Sequence, residues 1–181
     1  MFCSLRCYSD DRTRRPLEKI AKSTFFEGAL NAAFSLEVIM YEIRVAADFA
    51  AAHFLRDYNG KCENLHGHNY KVYAHVKGFQ LNEGGMLIDF ALLKGALKSV
   101  CKKLDHTNLN DMPCFEQNPS AERIALFIYN ALLEELKKEG IDLSFTSASE
   151  ESSETPLKKR TWLSAVDVFE TDTSRARYVA D

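Results

Sequence analysis

Cys62-Glu63-Asn64-Leu65-His66-Gly67-His68 puts a thiol, a carboxylate and two imidazoles within seven residues, at the start of an alternating run that reads as a strand. A spacing of two places His66 and His68 on the same face of that strand. Gly67 leaves the opposite face bare, so a close approach by another group is expected there. Upstream, Phe49-Ala50-Ala51-Ala52-His53 ends an earlier strand, and an antiparallel return would carry His53 beside the pair. Three neutral imidazoles with a fourth position open form the ligand set of a catalytic zinc ion. Cys62 has two readings. As a fourth ligand it closes a structural centre of one thiolate and three imidazoles; as a thiolate held ionised by the metal and imidazoles, it is a base or nucleophile. Glu63 is either a solvated loop acid or a second base.

Two further places carry candidate chemistry. Asp105-His106 ends a helix, where a histidine commonly just complements the helix dipole; as a function, the carboxylate can orient the imidazole for proton relay. Glu170 shares the parity of Val166 and Val168 and so faces the core, where a carboxylate needs a partner. That partner is an internal cation or an amidine-bearing ligand gripped by both oxygens.

The elements that position these residues follow from periodicity. Tyr41, Ile43, Val45, Ala47 and Phe49 alternate with Glu42, Arg44 and Asp48, which predicts a half-buried strand. Asn59-Gly60 marks a turn in the loop 54–65. A second strand over about 68–77 turns Tyr70, Val72, Ala74 and Val76 to the side of His66 and His68; His75 has the opposite parity and reads as an ordinary surface histidine. Asp89 is expected to cap a helix with the stripe Leu93, Leu97, Val100, Cys101 and Leu104. Asn118-Pro119 is expected to open a second helix as cap and first-turn proline, with Ile124, Ile128, Leu132 and Leu136 buried and Gly140 ending it. Residues 144–160, rich in Ser, Thr and Glu, read as a mobile surface insertion. Strands over about 162–170 and around 177–179 complete the order ββααββ. This is an α+β layer in which two helices cover one face of an antiparallel four-stranded sheet. Residues 1–39 lack a core pattern and read as an extension outside the fold, with Met40 able to serve as a natural start.

Composition narrows the function classes. At 181 residues the chain suits one domain, and a formal net charge of −3 speaks against a nucleic-acid partner. No apolar run is long enough to span a membrane. Five cysteines without framework spacing or a secretory h-region read as reduced thiols in a cytoplasmic protein.

Residues 40–180, apart from the insertion, closely resemble the 6-pyruvoyl-tetrahydropterin synthase and 6-carboxytetrahydropterin synthase family. The likeness is carried by Phe49 to His53, Cys62 to His68, Ile88-Asp89-Phe90, Leu104 to Asn110, Asn118 to Glu122 and Phe169-Glu170-Thr171. The resemblance implies the tunnelling fold and a homo-oligomer, usually a hexamer, with active sites at subunit interfaces. It implies Zn2+ on His53, His66 and His68, Cys62 as base, and Asp105 with His106 as relay. Glu170 and Thr171 would bind the substrate, 7,8-dihydroneopterin triphosphate. Three residues between Cys62 and His66 are similar to the carboxy branch, which makes 6-carboxytetrahydropterin for queuosine and other deazapurines. Glu63 makes the motif C-E-x-x-H-G-H, similar to a subgroup that cleaves the same substrate to 6-hydroxymethyl-dihydropterin for folate. The pyruvoyl product, and a zinc-stabilised pterin-binding module without catalysis, are the remaining alternatives.

Overall fold

The computed structural model describes residues 40–145 and 161–180; the expected N-terminal extension and nearly all of the Ser/Glu-rich insertion lie outside the described residues. Strands β1 (Tyr41–His53) and β2 (His66–Gly78) are followed by helices α1 (Phe90–Leu104) and α2 (Ala121–Lys138), then by strands β3 (Thr161–Thr171) and β4 (Ser174–Val179). The strands pair antiparallel in the order β1-β2-β3-β4. The ββααββ order expected from periodicity is therefore present.

The period-two pattern decides which sheet face is covered. Val45, Ala47, Phe49 and Ala51 of β1, Tyr70, Val72, Ala74 and Val76 of β2, and Val166 and Val168 of β3 are buried in one cluster with the helix stripes. All five predicted α1 stripe residues, and all four of α2, belong to that cluster. Each fully buried aliphatic side chain stabilises by roughly 1.5–3 kcal/mol, so the sheet face and helices define each other.

The helix ends have local causes. The Asp89 carboxylate accepts from Ala91 N at 2.7 Å and starts α1 as expected. At α2 the cap is Ser120 rather than Asn118: its hydroxyl accepts from Arg123 N, and the helix begins at Ala121. Pro119 lies just outside, where it offers its carbonyl to other groups. Gly140, at φ 77°, ends α2 as predicted: Gly140 N donates to Lys137 O and Ile141 N to Leu136 O. This paired closure needs a left-handed residue, which glycine adopts without a Cβ clash.

His75 corrects a sequence expectation. Its parity does turn it away from the helices, but it is only 6% exposed. Its Nδ1 lies 3.0 Å from Glu42 Oε1 on β1, and its Nε2 lies 2.8 Å from Asp167 Oδ2 on β3. Arg177 on β4 grips the same Asp167 carboxylate through Nε at 2.7 Å and an Nη at 2.9 Å. One residue from each strand thus joins a polar network over the face that parity alone assigns to solvent.

Candidate metal and active site

β1 and β2 deliver three imidazoles to one point because their register pairs His53 with His66, and His68 lies two residues further along the same face. Ring centroids are 4.6 Å apart for His53 and His66, 5.2 Å for His53 and His68, and 4.9 Å for His66 and His68. One ring nitrogen from each lies within 4.8 Å of the others. Cys62 is not part of this group.

Backbone carbonyls select the tautomers. His53 Nδ1 donates to Pro119 O at 2.8 Å, and His66 Nδ1 donates to Asn64 O at 2.7 Å. Both Nε2 atoms then carry lone pairs, the arrangement in which a second partner orients a metal-ligating histidine. His53 is 1% exposed, and its Nε2 is buried with no hydrogen-bond partner among the described residues. Burial lowers the His53 pKa, with His66 and His68 adding to the shift, against opposing effects of Pro119 and Glu170. A neutral, oriented and unsatisfied donor atom beside two further imidazoles fits a zinc-class cation.

Glu170 reaches the same place from β3. Its Oε1 is 3.8 Å from His53 Nε2, beyond hydrogen-bonding distance, and its side chain is 25% exposed. Thr171, next along, has its hydroxyl engaged with Thr173 in the turn to β4.

The other candidates sit apart from the cluster. Cys62 occupies a single tight turn, half-buried, and its carbonyl accepts from Leu55 N at 2.8 Å. That bond folds the 54–65 loop back toward the end of β1. Glu63 is exposed, and its Oε1 accepts from Asn59 N at 3.0 Å, bracing a residue at φ 57°. Among the described residues no close approach is found at Gly67: a Cβ there would meet Ala51 O at an ordinary 3.5 Å.

Asp105 and His106 flank the outer edge of β1. Asp105 Oδ1 accepts from Ala50 N at 2.8 Å and Oδ2 lies 2.9 Å from His106 Nδ1, while Ala50 O accepts from His106 N. The Ala50 amide, then His106, hold the Asp105 carboxyl below the usual range. The imidazole is oriented but 82% exposed, beside a cleft of about 680 Å³ that also meets Lys71, Lys94 and Lys98.

Residues 42–181 match the family model described as 6-pyruvoyl tetrahydropterin synthase. The chain belongs to that family. A 6-carboxy-5,6,7,8-tetrahydropterin synthase from Synechocystis is 36% identical over 144 residues, covering 77% of this chain and 93% of the relative. A 6-pyruvoyl tetrahydrobiopterin synthase from Dictyostelium discoideum is 41% identical over 81 residues, 43% of this chain and 60% of the relative. Among solved structures, a Plasmodium vivax 6-pyruvoyltetrahydropterin synthase in which a catalytic glutamate is replaced by cysteine superposes with a TM-score of 0.55. It is 25% identical and covers 77% of this chain and 97% of that one. The family is one of pterin-processing enzymes, and the four-stranded sheet with two helices is its tunnelling fold.

In this 6-pyruvoyl tetrahydropterin synthase family member, two residues near the cluster escaped sequence reasoning. Asn110, the last residue of the Leu104 to Asn110 motif, accepts from Phe54 N at 2.8 Å and donates to Phe54 O at 2.8 Å and Gln117 O at 2.9 Å. It thereby ties the chain leaving His53 to the segment that ends in Pro119. The parity of Tyr70 predicts a core position, and the same parity places it two residues beyond His68. It is fully buried, with its ring 5.5 Å from His68 and 6.0 Å from His53.

Proposed function

We propose that this chain converts 7,8-dihydroneopterin triphosphate to 6-carboxytetrahydropterin, releasing acetaldehyde and triphosphate, at a site where His53, His66 and His68 hold zinc. The observation that carries this reading is the buried Nε2 of His53, without a hydrogen-bond partner among the described residues, beside two further imidazoles. It occurs in a chain whose match spans 93% of a relative named for that product.

Zinc in that position would supply Lewis acidity toward the substrate's side-chain oxygens. The protein's own groups do the rest. Cys62 takes a proton from the side chain, and Asp105 orients His106 to return protons. Glu170 anchors the pterin by accepting its ring N–H and exocyclic amine on two oxygens. The exposure of His106 and the location of its dyad on the β1 edge support a site completed between copies, in a homo-oligomer of hexameric type. The outer positions of β1 and β4 in the sheet and the exposed Tyr41 and Val179 on them support edge-to-edge assembly. Among the described residues no helix is long and apolar enough to cross a membrane, in keeping with the cytoplasmic reading.

A second reading has a specific support. The Plasmodium vivax relative is described as having a catalytic glutamate, and Glu63 adjoins Cys62. As a carboxylate beside the thiol, Glu63 would serve as base for cleavage to 6-hydroxymethyl-dihydropterin. Zinc-loaded protein incubated with dihydroneopterin triphosphate, with products separated by chromatography and mass detection, tests both. The expected product is mainly 6-carboxytetrahydropterin with some 6-hydroxymethyl-dihydropterin. Cys62→Ala should suppress the first by about 10²–10⁴-fold, and Glu63→Ala should suppress the second. A 6-pyruvoyl product in the majority would overturn the carboxy assignment, and an unchanged profile in Glu63→Ala would reduce Glu63 to its bond with Asn59.

A further inference from the structure

Lys94 and Lys98 stand one turn apart on α1, both exposed, and both line the cleft of about 680 Å³ beside His106. A spacing of four puts the two side chains on one helix face, where like charges repel. Neither ammonium has an ion-pair partner among the described residues. Two repelling cations on the wall of a cleft are stabilised by an anion that enters it.

Most other charged groups of the cleft are already engaged. Lys71 Nζ donates to Asp172 Oδ1 at 2.6 Å. The Asp105 carboxylate accepts from Ala50 N and pairs with His106. Among the described residues Asp48 alone is then set against Lys94 and Lys98, so the unengaged charge of the cleft is positive. The volume is that of a small-molecule site. Lysine meets phosphate as a point charge with three donors. Two lysines a turn apart can meet successive phosphoryl groups of one chain.

We propose that Lys94 and Lys98 seat the triphosphate of the substrate. His106 ties this cleft to the reaction, because the imidazole assigned to proton return lines the same wall. A triphosphate held there keeps the adjoining pterin side chain close to that ring. The proposal rests on dihydroneopterin triphosphate being the substrate, and adds which side chains hold the part that leaves.

Calorimetric binding of inorganic triphosphate to zinc-loaded protein, and KM for dihydroneopterin triphosphate, read the seat. Neopterin, which has no phosphate, reads the pterin site independently. Lys94→Gln and Lys98→Gln keep the helix and most of the side-chain length while removing the charge. Each should weaken triphosphate binding about tenfold and raise KM in proportion, with neopterin affinity unchanged. Lys102→Gln makes the same charge change one turn further along α1, outside the cleft lining, and should alter triphosphate binding no more than about twofold. Unchanged triphosphate affinity in the Lys94→Gln Lys98→Gln double variant, or an equal loss in Lys102→Gln, would overturn the proposal. So would a loss of neopterin binding in the cleft variants, or triphosphate that binds without competing with the substrate. Neopterin binding without triphosphate binding by the wild-type protein would overturn the seat alone. Neither neopterin binding nor turnover by the wild-type protein would overturn the pterin reading itself.

Discussion

His53 Nδ1 donates to the carbonyl of Pro119 at 2.8 Å, across 66 residues of chain, and this bond turns the opposite ring nitrogen toward His66 and His68. The metal site therefore depends on the segment before α2 as well as on two strands. About one zinc per chain is expected in purified protein, falling to near zero in His66→Ala and persisting in Cys62→Ala. Metal analysis of the three proteins checks this. Loss of zinc from Cys62→Ala would place the thiol among the ligands.

Asn110 holds the same junction. Asn110→Ala leaves Phe54 N and Phe54 O without their Asn110 partner, and Gln117 O with Arg56 Nε alone. With half-buried hydrogen bonds contributing roughly 0.5–1.5 kcal/mol each, stability should fall by about 1–3 kcal/mol. Zinc affinity should fall with it, because Pro119 O would no longer be held against His53. Chemical denaturation and competition with a chelator measure the two effects.

The four-strand network of Glu42, His75, Asp167 and Arg177 should appear in acid. Burial alone would raise the Asp167 carboxyl, but Arg177 and His75 outweigh it and hold it below the ordinary range. A carboxyl depressed in the folded state contributes stability that is complete above its unfolded pKa, near 4. That stability is lost as pH falls through the folded value. The melting temperature should therefore drop below about pH 4, less steeply in Asp167→Asn. At pH 7, Arg177→Leu should cost about 3 kcal/mol by leaving a buried carboxylate with one partner fewer. Equal acid limbs in wild type and Asp167→Asn would show that the network does not govern acid stability.

Every strand and helix among the described residues falls within 41–179. A chain beginning at Met40 should accordingly fold, bind zinc and assemble as the full chain does. Size-exclusion chromatography with metal analysis tests this. Insolubility or a smaller assembly would assign residues 1–39 a structural part.

The sequence by itself determined the element order, the sheet face and the three imidazoles. Strand and helix periods are local, and the spacing of His66 and His68 puts both on the buried face wherever the strand goes. The Asp89 cap and the Gly140 closure were legible for the same reason: each is satisfied within a few residues of itself. Only the tertiary structure decided the rest. Parity placed His75 opposite the core, but Glu42, Asp167 and Arg177 come from three other strands, so nothing near His75 in the chain announced its burial. The α2 cap moved to Ser120, leaving the Pro119 carbonyl to orient His53. Hydrogen bonds and ion pairs between distant segments depend on register and twist, and these emerge only when the whole sheet is packed.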